Sequence, residues 1–286
     1  MFVGPYRLAM RSSSLAQSML RKLSIPGRAL TAALLLSALA GRAEAFGGLI
    51  LIDKPPAQDY SLSIGPGVAG YPESPGSSRT KVVPIPGVDF YWSLGAFAST
   101  DIGLGWNFSR REDLQFGVRL WPVFGRDDKR SQQLGLSDVG TRLGKGLFLN
   151  YAPLRFLILQ SSVLAGSAYK GDGVQVEAGA TIGAPIGGRA LLGVTLGGTW
   201  ANGPYLRSYY GVTPEESAAG SLPVYAPGAG WSDLNLQMVG EMQISERWKL
   251  SGQLVGARLV GDAGRSPVAQ SRNQTTFSLT LWYQLK

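Results

Sequence analysis

The stretch Leu234-Asn235-Leu236-Gln237-Met238-Val239-Gly240-Glu241-Met242-Gln243-Ile244 sets Leu, Met, Ile and one Gly at its even positions against mostly polar residues at its odd ones. A period of two is the signature of a strand with one apolar face. After Ser245-Glu246-Arg247 the pattern resumes, with Trp248, Leu250, Gly252 and Leu254 against Lys249, Ser251 and Gln253, which predicts a hairpin with a very short turn. The same alternation recurs through Ile102, Leu104, Trp106 and Phe108, through Leu114 to Leu120, through Val174 to Ile182 and through Leu192 to Leu196.

These runs approach ten residues, and their second face carries Gly, Ser, Thr, Gln and an occasional charge. A soluble β-sandwich uses shorter strands and turns its apolar face inward. A transmembrane barrel needs segments of this length, apolar toward lipid and polar toward the lumen. No run of about 20 apolar residues occurs after residue 45, so a barrel is the spanning structure the chain can form. Trp92, Trp106, Trp121, Trp200, Trp231, Trp248 and Trp282 lie near strand ends and suit interfacial girdles, with core packing as the alternative.

Composition narrows the chemistry. The 286 residues include 39 Gly, no Cys and no His. Thiolate or imidazole metal ligands, a Ser-His-Asp relay, a Cys nucleophile and disulfides are therefore excluded, and neither a cofactor nor an enzyme activity is expected. Residues 1–45 read as a secretory signal peptide. Arg7, Arg11, Arg21, Lys22 and Arg28 make a basic start, Ala29 to Ala40 is an apolar run too short to cross a membrane, and Ala43-Glu44-Ala45 precedes Phe46 as a small-x-small site, with cleavage expected between Ala45 and Phe46. That segment holds six of the 27 basic residues and one of the 19 acidic ones, leaving 21 against 18 in residues 46–286. A net charge of +3 gives no reason to invoke nucleic acid. The expected organisation is a leader, then one barrel domain over 46–286.

Candidate strands fall at 60–69, 82–97, 100–108, 112–122, 138–152, 154–165, 173–183, 188–200, 231–244, 247–260 and 274–285. That is eleven, and single-chain bacterial barrels take even numbers. A twelfth is expected before residue 60, at Gly48 to Asp53, with ten strands as the alternative. Counting back from a periplasmic C-terminus puts the short connections at Ala152-Pro153, Pro185 to Gly188 and Ser245-Glu246 on the periplasmic side. Loops 123–137, 201–230 and 261–273 are then outside.

The last segment alternates Phe277, Leu279, Leu281, Tyr283 and Leu285 with Ser278, Thr280, Trp282 and Gln284, and resembles the closing strand by which the barrel assembly machinery recognises outer-membrane proteins. A more specific resemblance lies upstream. Tyr209-Tyr210-Gly211-Val212-Thr213-Pro214-Glu215-Glu216-Ser217-Ala218-Ala219-Gly220-Ser221-Leu222-Pro223-Val224-Tyr225, then Gly228, Gly230 and the Leu234 strand, is similar to the MipA/OmpV family of outer-membrane proteins. Gly125-Arg126-Asp127 leading to Leu134 through Asp138, the loop Leu259-Val260-Gly261-Asp262-Ala263-Gly264-Arg265-Ser266-Pro267-Val268, and Pro84-Ile85-Pro86-Gly87 before an aromatic strand agree with it. The resemblance implies an integral protein of the Gram-negative outer membrane, bathed in its lipid. It also implies a non-enzymatic scaffold joining a murein lytic transglycosylase to a bifunctional penicillin-binding murein synthase. A narrow channel or a surface antigen or adhesin is the alternative that OmpV-type relatives suggest.

Within the shared motif, Pro214, Pro223 and Pro227 restrict the backbone, so 201–230 is expected to be an ordered loop. Tyr209, Tyr210 and Tyr225 are placed in the barrel mouth or lumen, and Glu215-Glu216 after Pro214 suits the start of a short helix. The residues singled out, as a structural lid in preference to a partner epitope, are Tyr209, Tyr210, Gly211, Val212, Pro214, Ser217, Leu222, Pro223, Tyr225, Gly261, Asp262, Ser266 and Pro267. A murein scaffold works in the periplasm, whereas this loop is placed outside or folded into the lumen; either the strand parity is wrong, or the motif maintains the barrel while the short turns and 46–59 meet the enzymes. Arg126-Asp127-Asp128-Lys129-Arg130 reads as a solvated loop, since its acids with Asp138 lack a Ca²⁺-loop spacing. Arg110-Arg111 beside Glu112-Asp113 reads as a self-paired turn, and Arg119, Glu177, Glu241 and Lys249 as lumen charges that line a pore or close it.

Overall fold

In a computed structural model the chain forms a closed, all-antiparallel barrel of twelve strands in meander order, β1 pairing with β12 to complete the ring. The structure describes residue 56 and residues 59–126, 129–168 and 171–286. The strands are β1 (Tyr60–Pro72), β2 (Thr80–Trp92), β3 (Ala96–Ser99), β4 (Gly103–Asn107), β5 (Leu114–Val123), β6 (Arg142–Leu154), β7 (Leu157–Ala165), β8 (Val174–Ile186), β9 (Ala190–Ala201), β10 (Gly230–Gln243), β11 (Trp248–Leu259) and β12 (Asn273–Gln284). Among the described residues four short helices, α1 (Lys129–Gln133), α2 (Gly203–Tyr210), α3 (Pro214–Ala219) and α4 (Gly261–Arg265), lie in the connections.

The register carries the sequence alternation around the ring. Leu196 pairs with Leu236 and Met238 with Leu254, all exposed on the outer wall, while Gln160, Thr181, Thr195, Asn235 and Gln237 are buried inside. The apolar face therefore points away from the barrel axis, as lipid requires. The tryptophans divide: Trp106, Trp231 and Trp248 are exposed on the outside, whereas Trp282 is 2% exposed and donates to Ser251 Oγ at 2.7 Å within the lumen. Trp282 is a packing residue and not part of a girdle.

The described residues supply the expected twelve strands without drawing on Gly48 to Asp53. Gly48 to Asp53 lies outside the described residues, and the ring closes without it. The extra strand comes from the run 82–97, which breaks at Ser93-Leu94-Gly95 into β2 and β3. Gly95 sits at φ +108°, where a Cβ would collide with the Asn107 carbonyl, so only glycine makes this turn comfortably. The hairpin β3–β4 has strands of four and five residues against nine to fourteen elsewhere.

Because that hairpin is short, the wall is incomplete above it. β2 pairs with β3 only at Asp89, Phe90 and Tyr91, extended one step where Thr100 N–H donates to the Val88 carbonyl. Even-numbered residues of β2 thus direct their backbone groups toward β3. Above Val88 that edge has no neighbouring strand among the described residues, and the two even positions next in line are Pro86 and Pro84, which have no N–H to leave unpaired.

Candidate functional site

Connections 73–79, 124–141, 166–173, 202–229 and 260–272 gather at one end of the barrel, and the start of β1 and the end of β12 with the short turns 93–95, 108–113, 155–156, 187–189 and 244–247 at the other. Long loops of such barrels are extracellular and short turns periplasmic. The first end is closed by a three-loop cap built from 124–141, 202–229 and 260–272. Its larger core joins Tyr205, Leu206, Tyr209 and Tyr210 of α2 to Ala201, Leu259, Ala263 and Val139. A second cluster joins Leu136, Val212 and Val268, with Leu134, Leu222 and Tyr225 against it.

The local sequence explains each element. Asn202 caps α2 by accepting from the Tyr205 N–H at 3.1 Å, and Pro204 occupies the first turn, where its missing donor costs nothing. Thr213 and Glu216 form a reciprocal capping box on α3, with Pro214 again at its start and Ser217 N–H closing the first turn onto the Thr213 carbonyl. Gly211 ends α2, and Val212 bridges back to Tyr225 in both directions.

Hydrogen bonds then tie the loops together. Arg126, 2% exposed, donates to the Tyr209 carbonyl at 3.0 Å and to the Ser137 carbonyl at 3.1 Å. Tyr209 Oη donates to the Phe124 carbonyl, Ser266 Oγ to the Tyr210 carbonyl at 2.6 Å, and Tyr225 Oη to the Asp262 carbonyl. Glu216 accepts from the Ser137 N–H at 2.7 Å. Burial pushes the Glu216 carboxyl up, but the Thr213 and Ser137 donors and the Arg126 charge outweigh it and hold the group below its ordinary value. Asp262 is likewise lowered, by the Gly228 N–H first and by Arg265 after it. At Gly220 a Cβ would collide with the Leu134 carbonyl, so the 134–136 and 216–220 backbones meet only with glycine there.

Of the motif residues singled out from sequence, Tyr209, Tyr210, Gly211, Val212, Pro214, Ser217, Leu222, Tyr225, Gly261, Asp262, Ser266 and Pro267 are thus brought into this one assembly, and Pro223 lies exposed at its surface. Two members were missed. Arg126, placed by its charged neighbours in a solvated loop, is instead buried; Asp127 and Asp128 lie outside the described residues. Glu216 was read only as a helix-start acid, although the Thr213-x-x-Glu216 spacing already signals a capping box. Among the described residues no group of three or more acids is arranged to hold a metal ion.

Beneath the cap the lumen is crossed by side chains. Arg119 donates to Ser162 Oγ at 3.1 Å and lies 3.7 Å from Glu177, which accepts from Ser162. Thr181, Thr195 and Gln160 form a second cluster, and Asp233 accepts from Ser232, Asn235 and Thr199. A cavity of about 60 Å³ lies between this layer and Tyr205 and Tyr210. At the periplasmic end a vestibule of about 170 Å³ opens among Ser63, Asp89, Tyr91, Lys249, Trp282 and Gln284. Glu241 and Lys249 pair at 3.4 Å beside it. Exposed arginines 110, 111, 155, 189 and 247 occupy the short turns around that end.

A closed twelve-stranded barrel with a lipid-directed apolar wall and a capped extracellular mouth is an integral outer-membrane protein. Residues 64–285 match the family described as MltA-interacting protein MipA, and the chain belongs to that family. Among solved structures it is similar to an outer membrane channel from Pseudomonas putida F1 (9% identity, 85% of this chain and 100% of that chain covered, TM-score 0.43). It is also similar to the outer membrane channel DcaP of Acinetobacter baumannii (10%, 79% and 97%, 0.36) and to the NanC porin (8%, 79% and 99%, 0.38). No curated protein sequence matches the chain.

Proposed function

We propose that the protein is a non-enzymatic scaffold whose periplasmic end holds a murein lytic transglycosylase and brings a bifunctional penicillin-binding murein synthase to it. The observation that carries this reading is the inequality of the two ends. The extracellular mouth is shut by a hydrogen-bonded cap over a crossed lumen, whereas the periplasmic end offers a vestibule and a rim of exposed arginines. The family's description as MltA-interacting protein supports the same partner class. In this reading the motif residues of 209–225 and 261–267 keep the outer end closed, and the short turns meet the enzymes. That division removes the conflict between an outward loop and a periplasmic task.

The test is photocrosslinking in cells from single positions in the turns, Arg155, Arg189 and Glu246, with exposed Val224 of the cap as the control. The expected result is capture of the transglycosylase from the turns and none from Val224. Capture from Val224 alone, or from no position, overturns the reading. Single-channel recording supplies the other arm, because steady conductance by the capped protein would move the assignment to a narrow channel.

A further inference from the structure

We infer that the gap in the wall above hairpin β3–β4 is a lateral site for a phosphate-bearing lipid of the outer leaflet, lipid A, with one acyl chain in the groove over that hairpin and a phosphate against Lys145. Four observations meet at this place. The two missing strand segments leave about three inter-strand spacings, roughly 14 Å, between β2 and β5 on the half that carries the long loops. The bordering segment of β2 is apolar on both faces: Val82, Pro84 and Pro86 point outward, and Val83 and Ile85 inward. Inward Val83 stands beside the buried Ala69 of β1, so a lipid chain reaching the gap meets apolar surface on each side of the wall.

Below the gap the outer wall is hollow. Ala96 and Ala98 are small residues at outward positions, and Trp92, Leu104, Trp106 and Leu120 rise around them to enclose an apolar groove of about 640 Å³. A convex barrel face gathers lipid without selecting it; a groove of this size takes a chain in a fixed place.

The fourth observation is charge. By register, the outward positions of the twelve strands carry two charged residues, Arg258 and Lys145. Arg258 is the penultimate residue of β11 and sits at the rim. Lys145 lies three residues inside β6, beneath the outward Leu143 and directly beside Leu120 of the groove, and has no ionic or hydrogen-bonded partner among the described residues. A lysine on a lipid-directed face is costly unless an anion meets it. The carbonyls of Pro84 and Pro86, directed into the gap, are acceptors that sugar hydroxyls of the same headgroup can satisfy.

The experiment counts lipid on the intact, detergent-purified barrel by native mass spectrometry during titration with diphosphorylated lipid A, and again with its dephosphorylated form. Ala98→Phe fills the groove, Lys145→Gln removes the cation, and Ala184→Phe places the same bulk on the outward face of β8. Heat-modifiable gel mobility verifies that each variant is folded. The expected result is one tightly held lipid A, lost at least tenfold in Ala98→Phe and unchanged in Ala184→Phe. Lys145→Gln weakens the phosphorylated lipid about fivefold and leaves the dephosphorylated one unaltered. Equal binding by Ala98→Phe and Ala184→Phe overturns the site, and so does indifference of the wild type to phosphate. Should Ala98→Phe fail to assemble, the phosphate dependence in Lys145→Gln decides alone.

Discussion

The cap and the β3–β4 hairpin are opposite solutions within one barrel. In the cap, three loops far apart in sequence bury Tyr209, Leu206, Ala263 and Arg126 almost completely, and backbone carbonyls from 124, 137, 209, 210 and 262 each receive a side-chain donor. At the hairpin two strands stop after a few residues, an edge stays unpaired, and protection comes from removing donors with Pro84 and Pro86 instead of satisfying them. Water exclusion makes polar contacts strong in the first region. In the second, the absence of a polar group is what does the protecting.

The largest test of that contrast is Arg126→Met. It leaves the Tyr209 and Ser137 carbonyls without a charged donor in a buried place, a loss of about 3 kcal/mol on local cap stability. Tryptic cleavage at Arg207 should then accelerate on the order of a hundredfold, while the heat-modifiable mobility of the barrel stays as it was. Unchanged protection of Arg207 would mean that the cap is held by its apolar clusters alone.

Next is the carboxylate that binds the same loops. Glu216 is held below its ordinary 4.5, so its stabilising contribution is complete above that value and is lost as pH falls through the lower folded value. Hydrogen exchange in 203–229 should rise on acidification below about pH 4.5 in the wild type. Glu216→Gln should show about tenfold faster exchange at neutral pH and a flat response to acid. A wild-type cap indifferent to acid would remove Glu216 from the account.

A smaller effect is expected at the free edge. Replacing Pro84 and Pro86 together by Thr restores two edge-directed donors without changing the barrel's own pairing, because those positions have no partner strand on that side among the described residues. A minor fraction of edge-paired dimer should appear in detergent by analytical ultracentrifugation. A wholly monomeric double variant would show that the edge is already covered.

The same contrast explains what the sequence made legible. Long strands such as β10 and β11 announced themselves because one face meets lipid over many residues, and period two survives any detail of packing. The break at Ser93-Leu94-Gly95 did not, because it lies between Trp92 and Phe97 in a run that stays apolar on both sides of the turn. Only the positive φ of Gly95 marks it. Arg126 was hidden for another reason. Its neighbours in sequence are charged, so it reads as surface, and the Tyr209 carbonyl that buries it comes from a loop 83 residues away. The capping box at Thr213 and Glu216 was local and could be read; the Ser137 N–H that completes Glu216 was not.

The smallest expected effect is at the turn 108–113, and there geometry and energy part company. Arg111 and Asp113 make a bidentate pair at 2.9 and 2.6 Å, shorter than either contact of Arg126, and each group draws the other's protonation in the stabilising direction. Both side chains stand in water, where the guanidinium and the carboxylate exchange each other for solvent at almost no gain, and salt screens what is left. Arg111→Ala should therefore leave the barrel's heat-modifiable midpoint unchanged within error at 0.15 M salt, about physiological ionic strength. A clear drop would mean that this turn is covered in the membrane-embedded protein, as it would be with a periplasmic partner seated on the arginine rim, and would turn the weakest contact of the comparison into evidence for docking at that end.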